Sequence, residues 1–410
     1  MKPTILTAPG SKSLTQRALV VAALADGPVT VEGALVCDDS RHLTEVLVRL
    51  GVGVRWEGTR VRVTPGPLRG SEEAHACGNA GTTMRFSAAL SLILDGPLVL
   101  DGNARMRERP IGPLGDALHA LGVEVRYLGQ PGFPPLRLER RAPPPAEVTV
   151  EAALSSQFAS GLLLVAPRLP APLTLRLAGA VVSRSYLTMT GALMERAGAK
   201  LAWLDARTVR VEPGSYRADA LAPALGVEPD WSGAAFLLAA GELLGRPVEV
   251  PGLLPPEASL QGDAAFAGMI EELRRPRVHR FDLTDTPDLI APLVALCPFA
   301  ADATEIVGAG HTRVKECDRI AVLAEGLRRI GAGVEERPDG LTVRPLEAPR
   351  PGPIELDPHE DHRMAMTFGL WARRVPGLRV LDPGCVSKSF PLFWEELARF
   401  DPSTGQGAGA

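Results

Sequence analysis

The chain has 410 residues, of which 45% are hydrophobic and 22% are charged, and its formal net charge is -4. This length allows two or more domains with full cores, and this composition excludes a largely disordered chain. The small acidic excess disfavours a nucleic-acid or acidic membrane surface as the main partner, and no apolar stretch approaches the ~18 residues of a membrane span.

The cysteines and the N-terminal residues indicate the cellular compartment in which the protein works. The five cysteines are Cys37, Cys77, Cys297, Cys317 and Cys385, without a CxxC pair. Such spacing is typical of reduced thiols in a cytoplasmic protein. Residues 1–12 show no apolar core of a secretory signal. We therefore expect a cytoplasmic protein, with residues 401–410 as a flexible tail.

A helix, a glycine and two strands recur along the chain. The pattern predicts a helix that ends at the glycine and is followed by a strand, a turn and a second strand. The glycines of the four clear copies are Gly51, Gly122, Gly198 and Gly331. Two weaker copies lie at 269–282 and 363–381. Six units predict an α/β protein of two three-unit domains, 11–226 and 1–10 with 227–400, joined near a linker that leads to a helix at Asp230.

Lysine is rare in this sequence, since five of the 44 basic residues are Lys. Three of the five, Lys12, Lys315 and Lys388, lie in dense polar clusters. A lysine ammonium can approach one oxygen closely and can lose its proton when desolvated, which a guanidinium does not do. The clusters therefore predict a local site for phosphates or carboxylates.

The first cluster, residues 9–13, precedes an apolar helix predicted at 18–25, with Arg17 near its start. It does not match the Walker A pattern, because Leu6 and Ser11 stand where that pattern needs glycines. A loop at a helix N-terminus can still bind an anion. The alternative interpretation is an ordinary helix cap.

Four more clusters follow in the first half of the chain. A glycine loop at 78–85 opens a helix predicted at 86–94, and three arginines lie within 105–109. Polar side chains also begin a helix at 155–158, and residues 182–186 are polar within apolar surroundings. Each could bind an anion, and each could equally be a tight turn, a solvated loop or a capping group.

The segment from Arg313 to Arg319 predicts another helix, on which Lys315 and Arg319 are i, i+4 neighbours with Glu316 beside them. A solvent-exposed helix with salt bridges is the alternative. The His pair at 359 and 362 does not match the HExxH zinc pattern, and no GxSxG motif occurs. We therefore predict no metal site, and we interpret the cysteines as small buried residues.

Taken in order, these motifs resemble those of the EPSP synthases, the 3-phosphoshikimate 1-carboxyvinyltransferases. They are Pro-Gly-Ser-Lys-Ser at 9–13, Gly-Asn-Ala-Gly-Thr at 78–82, Arg-x-x-Glu-Arg-Pro-Ile at 105–111, Ser-Ser-Gln-Phe at 155–158, Arg-Val-Lys-Glu at 313–316, Asp-His-Arg-Met-Ala-Met at 361–366 and Lys-Ser-Phe-Pro at 388–391. The resemblance covers nearly the whole chain. It implies two similar domains, each of three βαβαββ units around a pseudo-threefold axis.

The resemblance also implies a reaction. The enolpyruvyl group of phosphoenolpyruvate would be transferred to the 5-hydroxyl of shikimate 3-phosphate, through a tetrahedral intermediate, with release of phosphate. This is a step of the shikimate pathway to aromatic amino acids and the target of glyphosate. The implied protein is a monomer that binds small molecules and needs no cofactor, metal, nucleic acid or membrane.

The resemblance assigns roles to residues of this sequence. Asp288 with Lys12 would handle the hydroxyl and phosphate protons, and Glu316 would handle the C3 proton. The phosphoenolpyruvate contacts would be Lys12, Gly81, Arg109, Gln157, Arg319, Arg363 and Lys388, with Arg85 close by. The shikimate 3-phosphate contacts would be Lys12, Ser13, Arg17, Ser155, Ser156, Gln157, Ser183, Tyr186, Asp288 and Lys315.

Two positions depart from the family pattern. Phe86 stands where many members have proline, which we expect to affect the glycine loop and inhibitor fit. His311 stands where some members have an asparagine that contacts the substrate phosphate. Three alternative functions remain: an enolpyruvyl transferase acting on UDP-N-acetylglucosamine, an RNA 3′-terminal phosphate cyclase, and a non-catalytic binder of shikimate-like metabolites.

Overall fold

The computed structural model describes residues 2–401 of the chain. Most of the predicted tail, residues 402–410, lies outside the described residues. The chain divides into two compact units, which are described separately. The N-terminal unit is Lys12–Val227, and the C-terminal unit combines the residues up to Ser11 with those from Glu228 onward.

The N-terminus belongs to the C-terminal unit because it is paired there. Strand β1 (Thr4–Ile5) is parallel to strand β14 (Val248–Glu249), with Thr4 opposite Val248. The backbone N–H of Thr7 donates to Glu396 Oε2 at 2.9 Å. The N-terminal segment is therefore held by residues more than 200 positions away in sequence.

The N-terminal unit is built from three four-stranded mixed sheets. Its helices are α1 (Lys12–Ala23), α2 (Asp38–Arg49), α3 (Gly81–Leu90), α4 (Gly112–Ala120), α5 (Gln157–Val165) and α6 (Arg184–Arg196). Its strands are β2 (Val29–Glu32), β3 (Gly53–Glu57), β4 (Arg60–Thr64), β5 (Arg69–Ala76), β6 (Asp95–Asp101), β7 (Val123–Tyr127), β8 (Leu136–Arg140), β9 (Glu147–Glu151), β10 (Leu173–Ala178), β11 (Leu201–Trp203), β12 (Thr208–Val211) and β13 (Leu225–Gly226). The sheet orders are β13-β2-β4-β3, β5-β6-β8-β7 and β11-β12-β10-β9.

The three sheets share one topology. In each, an edge strand pairs in parallel with its neighbour, and the other two pairings are antiparallel. A parallel pair needs a crossover connection, and helices α3 and α5 supply it in the second and third sheets. The order β5-α3-β6-α4-β7-β8 is the βαβαββ unit, so the predicted fold class is confirmed.

The C-terminal unit contains one complete copy of this sheet. Its remaining elements are α7 (Trp231–Leu244), α8 (Phe266–Leu273), β15 (His279–Asp282), α9 (Ile290–Leu296), β16 (Thr304–Val307), α10 (Arg319–Ile330), β17 (Val334–Arg337), β18 (Gly340–Val343), β19 (Ile354–Leu356), α11 (His362–Ala372), β20 (Leu378–Val380) and α12 (Phe393–Ala398). The complete sheet has the order β15-β16-β18-β17, whereas β1-β14 and β19-β20 are two-stranded parallel pairs. The weaker copies at 269–282 and 363–381 fall on helix–strand pairs, as the sequence predicts.

Several helices are apolar around almost their whole circumference and are buried. Helix α5 is buried from Phe158 to Val165, and every residue of α9 is buried. A helix without a polar face has to lie inside the protein. Polar side chains on such a helix are therefore expected at its first turn. Among residues 2–401, no helix is long and apolar enough to cross a membrane.

The four repeat glycines end helices, as predicted. Gly51, Gly122, Gly198 and Gly331 have φ values of +105°, +85°, +85° and +99°. These lie in or near the left-handed region, where a residue with Cβ is strained. The pattern therefore located the ends of four helices correctly.

The helix predicted from Arg313 is wrong. Gly310–Val314 is a short 3-10 helix, and α10 begins only at Arg319 because Asp318 caps it, accepting from the N–H of Ala321 at 3.0 Å. Lys315 and Glu316 thus lie in a loop, and Lys315 and Arg319 are not neighbours on one helix. The solvent-exposed alternative is also wrong, since Arg319 is 1% exposed.

Two helix boundaries also differ from the prediction. The first helix begins at Lys12 and ends at Ala23, and the glycine-loop helix begins at Gly81 and ends at Leu90. Lys12 and Gly81 are therefore the first residues of their helices, where backbone N–H groups have no partner within the helix.

Candidate active site

In the N-terminal unit, Lys12 begins α1 and is held by a carboxylate. Its Nζ lies 3.3 Å from Oδ2 of Asp39, a buried residue in the first turn of α2. Thr83 on α3 donates to the backbone oxygen of Asp39 at 3.0 Å. The lysine ammonium is thus placed where the first turns of three helices approach each other.

Arg17, one turn into α1, is buried among neutral partners. Its guanidinium donates to Thr190 Oγ1 at 2.8 Å and to the backbone oxygen of Ser13 at 2.9 Å. It also lies 5.4 Å from the ring centroid of Phe86 and 5.8 Å from that of Tyr186. Burial lowers the pKa of Arg17 to about 10. A buried cation with no carboxylate partner among residues 2–401 favours an anionic ligand nearby.

Gly81 and two arginines form the second cluster of this unit. Arg85 donates to Gln157 Oε1 at 2.7 Å, and Arg109 donates to the backbone oxygen of Asn79 at 2.9 Å. A Cβ on Gly81 would lie 2.5 Å from one nitrogen of Arg109 and 2.6 Å from one of Arg85. Only glycine lets both guanidinium groups lie against the first turn of α3.

Gln157 connects this cluster to the first turn of α5. Its Nε2 donates to Thr82 Oγ1 at 3.2 Å, and its backbone N–H donates to Ser155 Oγ at 3.2 Å. Ser156 is the N-cap residue of α5 and is buried. The cluster combines two guanidinium groups with helix N-termini, an arrangement suited to phosphate or carboxylate.

Ser183 and Tyr186 lie at the start of α6. Ser183 is the N-cap residue and has φ +55°, an uncommon conformation for a residue with Cβ. The backbone oxygen of Tyr186 accepts from Arg17 at 3.3 Å. The predicted shikimate 3-phosphate contacts of this unit thus lie on α1, α5 and α6, three helices that pack together.

In the C-terminal unit, Arg319 joins three carboxylates. Its Nε donates to Asp361 at 2.7 Å, one terminal nitrogen to Asp288 at 2.8 Å, and the other to Glu316 at 2.9 Å. Burial alone would lower the pKa of Arg319, but the three carboxylates more than offset it and raise the pKa well above its ordinary value. Arg319 is therefore a permanent cation that fixes both predicted acid–base residues.

Asp288 contacts two further cations. Lys315 Nζ lies 3.1 Å from its Oδ1, and Arg363 lies 2.8 Å from its Oδ2. Burial lowers the pKa of Lys315, which Asp288 partly opposes. Three positive groups around one carboxylate hold Asp288 in a single position, and they also stabilise its ionised form.

Glu316 lies between two cations. One of its oxygens accepts from Arg319, and the other lies 3.9 Å from Lys388 Nζ. Both Glu316 and Lys388 are buried. The arrangement places a carboxylate and a lysine ammonium within one mostly dry cluster, where a proton can be held or given up.

The structure therefore places the predicted site residues at the helix N-termini of the N-terminal unit and around Arg319 in the C-terminal unit. Sequence reasoning missed Asp39 and Asp361, although each lies in the first turn or at the cap of a helix. Asp361 caps α11, accepting from the N–H of Arg363 at 2.8 Å, and it also holds Arg319. An aspartate just before a helix is a recognisable capping signal, but its second role depends on packing.

The two departures from the family pattern are both buried. Phe86 lies on α3 with its ring against Arg17. His311 lies in the 3-10 helix before Lys315, and burial, followed by the charge of Lys315, lowers its pKa to about 3. His311 is thus a neutral imidazole at neutral pH.

The cysteines are not activated. Cys317 donates to Asp361 Oδ2 at 3.6 Å, and burial raises its pKa. Burial also raises the pKa of Cys385 to about 12. Residues 2–401 contain no group of three or more His, Cys, Asp or Glu side chains that could hold a metal ion.

Comparison with known proteins gives one consistent result. The family described as EPSP synthase (3-phosphoshikimate 1-carboxyvinyltransferase) matches residues 3–397. A 3-phosphoshikimate 1-carboxyvinyltransferase from Methanoculleus marisnigri is 39% identical over 410 residues, covering 95% of each chain. One from Rhizobium leguminosarum bv. trifolii is 37% identical, covering 95% of this chain and 92% of its own.

Solved structures agree at the level of the fold. The EPSP synthase from Acinetobacter baumannii has a TM-score of 0.73 at 21% identity, covering 97% of this chain and 95% of its own. The enolpyruvyl transferase NikO from Streptomyces tendae has the same TM-score at 17% identity, covering 97% and 94%.

Proposed function

The chain belongs to the EPSP synthase family, and we propose that it transfers the enolpyruvyl group of phosphoenolpyruvate to the 5-hydroxyl of shikimate 3-phosphate, releasing phosphate. Relatives with this activity in their names are 35–39% identical over nearly the full chain. The fold alone does not choose the acceptor, since NikO has the same TM-score as the A. baumannii enzyme. The sequence relationship carries that choice.

One observation about the site carries the proposal. Arg319 holds Asp288 and Glu316 at 2.8 and 2.9 Å, so two carboxylates are fixed on one buried cation. An addition–elimination reaction needs one group for the hydroxyl proton and another for the C3 proton. It also needs cations that stabilise the charge developing on the phosphate. This cluster contains both kinds of group.

The proposed addition step forms a bond between the 5-hydroxyl oxygen and C2 of phosphoenolpyruvate. Asp288 takes the hydroxyl proton, while Glu316, which begins the step protonated, delivers its proton to C3, which yields a tetrahedral ketal-phosphate. In the elimination step C3 returns a proton to Glu316 and the bond from C2 to the phosphate oxygen breaks. Phosphate leaves with the proton that Asp288 took from the hydroxyl, passed on through Lys12, so that both residues return to their starting protonation states. Atoms and charges balance over the two steps without a cofactor.

Anion binding explains the remaining residues. The substrates carry two phosphates and two carboxylates, and each phosphate contributes about -1.5 to -2 at neutral pH. We assign phosphoenolpyruvate to Lys12, Gly81, Arg109, Gln157, Arg319, Arg363 and Lys388. We assign shikimate 3-phosphate to Lys12, Ser13, Arg17, Ser155, Ser156, Gln157, Ser183, Tyr186, Asp288 and Lys315. Several of these side chains already hold polar partners that an anionic substrate oxygen could replace.

We also propose that the protein works as a monomer in the cytoplasm. The five cysteines are free, and four of them are buried, which suits a reducing compartment. Size-exclusion chromatography with light scattering would test the monomer, and a stable dimer would contradict it.

The experiment that tests the function is phosphate release from phosphoenolpyruvate and shikimate 3-phosphate, with UDP-N-acetylglucosamine as the competing acceptor. Rapid phosphate release from phosphoenolpyruvate when shikimate 3-phosphate is the acceptor, and none when UDP-N-acetylglucosamine is the acceptor, supports the proposal. Release with UDP-N-acetylglucosamine alone would favour the sister activity. Binding of shikimate 3-phosphate without any turnover would indicate a non-catalytic binder.

Glu316→Gln tests the proposed proton transfer at C3. The amide keeps the size of the side chain but cannot carry the proton, so kcat should fall about 10²–10⁴-fold while calorimetry still shows binding of shikimate 3-phosphate. Glu325→Gln, on the exposed side of α10, is the matched control. Loss of binding together with turnover in Glu316→Gln would assign Glu316 a structural role instead.

A further inference from the structure

Phe86, which departs from the family pattern, has no role in the reaction as described. It lies on α3 and is 1% exposed. Its ring packs against α5, where a Cβ on Gly161 would lie 3.5 Å from Phe86 Cδ1. The guanidinium carbon of Arg17 lies over the same ring, 5.4 Å from its centroid. Phe86 therefore contacts both a neighbouring helix and a buried cation.

Within residues 2–401, Arg17 is held without a carboxylate. Its guanidinium carbon lies over a second ring, that of Tyr186, at 5.8 Å from the centroid. Its hydrogen-bond acceptors are neutral, namely the hydroxyl oxygens of Thr190 and Ser160 and the backbone oxygens of Ser13 and Tyr186. Burial lowers the pKa of Arg17 to about 10, so the group is still a cation at neutral pH.

The hydrogen bonds alone hold one end of the guanidinium weakly. Nη2 donates to Ser160 Oγ at 3.4 Å and to the backbone oxygen of Tyr186 at 3.3 Å. Both distances are long for an N–H···O hydrogen bond. The bonds of Nε and Nη1, to Thr190 and Ser13, are shorter at 2.8 and 2.9 Å. The aromatic contacts therefore add a restraint that the hydrogen bonds do not complete.

An aromatic ring and a carboxylate hold a cation with different consequences for a ligand. A paired carboxylate cancels the charge of a guanidinium, and Arg319 has three such partners. A ring attracts a cation through its quadrupole but carries no net charge, and the attraction is stronger when the cation is desolvated. Arg17 is 2% exposed. Its charge is therefore fixed in position and is still available to an anion.

We propose that Phe86 is a positioning residue for shikimate 3-phosphate, whose ring holds Arg17 in the position in which it binds this substrate. The inference rests on the proposed function, in which Arg17 contacts shikimate 3-phosphate. Without the ring, the long side chain of Arg17 gains freedom that is lost again on binding. The cost should appear in the affinity for shikimate 3-phosphate, because Arg17 is not among the phosphoenolpyruvate contacts.

The test is a series of fluorinated phenylalanines at position 86. Fluorine withdraws electron density from the face of the ring and weakens cation binding, while the shape of the ring is nearly unchanged. From the mono- through the di- to the trifluorinated ring, the Kd of shikimate 3-phosphate in calorimetry should rise stepwise, by roughly three- to thirtyfold in all. The KM for phosphoenolpyruvate should stay near that of wild type, and kcat should change less than the Kd.

Each other result of the series overturns the inference. A Kd that does not follow the number of fluorines would mean that Phe86 only fills space. A Kd that falls with fluorination would mean that the ring competes with the substrate for the cation. A wild-type protein that binds no shikimate 3-phosphate would instead overturn the proposed function, before the series is measured.

A matched control separates this effect from fluorination as such. Phe236 is a buried ring of the C-terminal unit that packs edge-on against Phe393. A trifluorinated ring at position 236 should leave the Kd of shikimate 3-phosphate at the wild-type value. An increase equal to that of the trifluorinated ring at position 86 would overturn the inference.

A double-mutant cycle covers the case in which the fluorinated proteins do not fold. Phe86→Leu keeps an apolar side chain but removes the aromatic face, so it should raise the Kd of shikimate 3-phosphate at least as much as the trifluorinated ring. In an Arg17→Gln background, which has no cation for the ring to hold, Phe86→Leu should change this Kd little. An equal effect of Phe86→Leu in both backgrounds would show that Phe86 does not act through Arg17, and the inference would fail.

Discussion

Replacing Arg319 with lysine tests whether the geometry of the guanidinium, and not only its charge, organises the C-terminal cluster. The three nitrogens of Arg319 each donate to a different carboxylate, at 2.7, 2.8 and 2.9 Å. A lysine ammonium is one atom on a flexible stem and does not reproduce this planar fork. At least two of the three charge-assisted hydrogen bonds should be lost.

The structure sets the size of the effect. Hydrogen bonds to charged groups contribute roughly 1.5–3 kcal/mol each, and a disrupted buried ion pair costs about 3–5 kcal/mol. Because Arg319 is 1% exposed, little solvent can replace the lost partners. We expect Arg319→Lys to be destabilised by about 3–5 kcal/mol and to lose at least 100-fold in kcat, since Asp288 and Glu316 are no longer held together.

Thermal unfolding and phosphate release would be measured on the same preparations. Arg328→Lys, on the exposed face of α10, is the control, and it should stay within about 0.5 kcal/mol of wild type. An Arg319→Lys protein with wild-type turnover and a thermal midpoint equal to that of the control would refute the reasoning.

Three further predictions follow from the other contacts. Lys12→Arg and Lys388→Arg should each reduce phosphate release far more than Lys200→Arg, a change at an exposed position, because a planar guanidinium group does not replace a compact ammonium group at a crowded phosphate. Equal rates of phosphate release in all three variants would contradict this. In Gly81→Ala the new methyl would displace two guanidinium groups. Inhibition assays should therefore show that the affinity for glyphosate decreases more than the affinity for phosphoenolpyruvate. An equal decrease of both affinities would place the inhibitor elsewhere. Folding lowers the pKa of His311 to about 3, so the contribution of His311 to stability is lost as pH falls from 6.5 toward 3. Over this range the thermal midpoint of His311→Asn should decrease less than that of wild type. Identical decreases in the two proteins would show that His311 is already solvated.

The sequence by itself determined much of the local structure. Glycines at 51, 122, 198 and 331 marked four helix ends, because glycine, which has no Cβ, adopts the positive φ of a helix end without strain. The helix after Asp230 began where its cap indicated, with Asp230 accepting from the N–H of Gly233 at 3.0 Å. The motifs also indicated the family over almost the whole chain, and the family match confirmed it. These signals act over a few residues, so the sequence shows them directly.

The helix start at Arg313 shows where such signals failed. Alternating charges there suited a helix, but the cap at Asp318 delayed its start to Arg319. The charge pattern correctly indicated that Glu316 contacts Arg319, but it predicted a helix where the backbone forms a loop. Charges three or four residues apart can meet on a helix or across a loop, and periodicity does not distinguish the two.

Only the tertiary structure decided which charged groups share partners. Arg319 meets Asp288 and Asp361, which lie 31 and 42 positions away, because the 3-10 helix before α9 and the first turns of α10 and α11 converge. The same holds for Asp263 and Ser232, 31 positions apart. Whether an ion is paired, and how strongly its pKa changes, depends on distance and burial. Both arise when apolar helices pack and exclude water, and no local pattern in the sequence encodes either one.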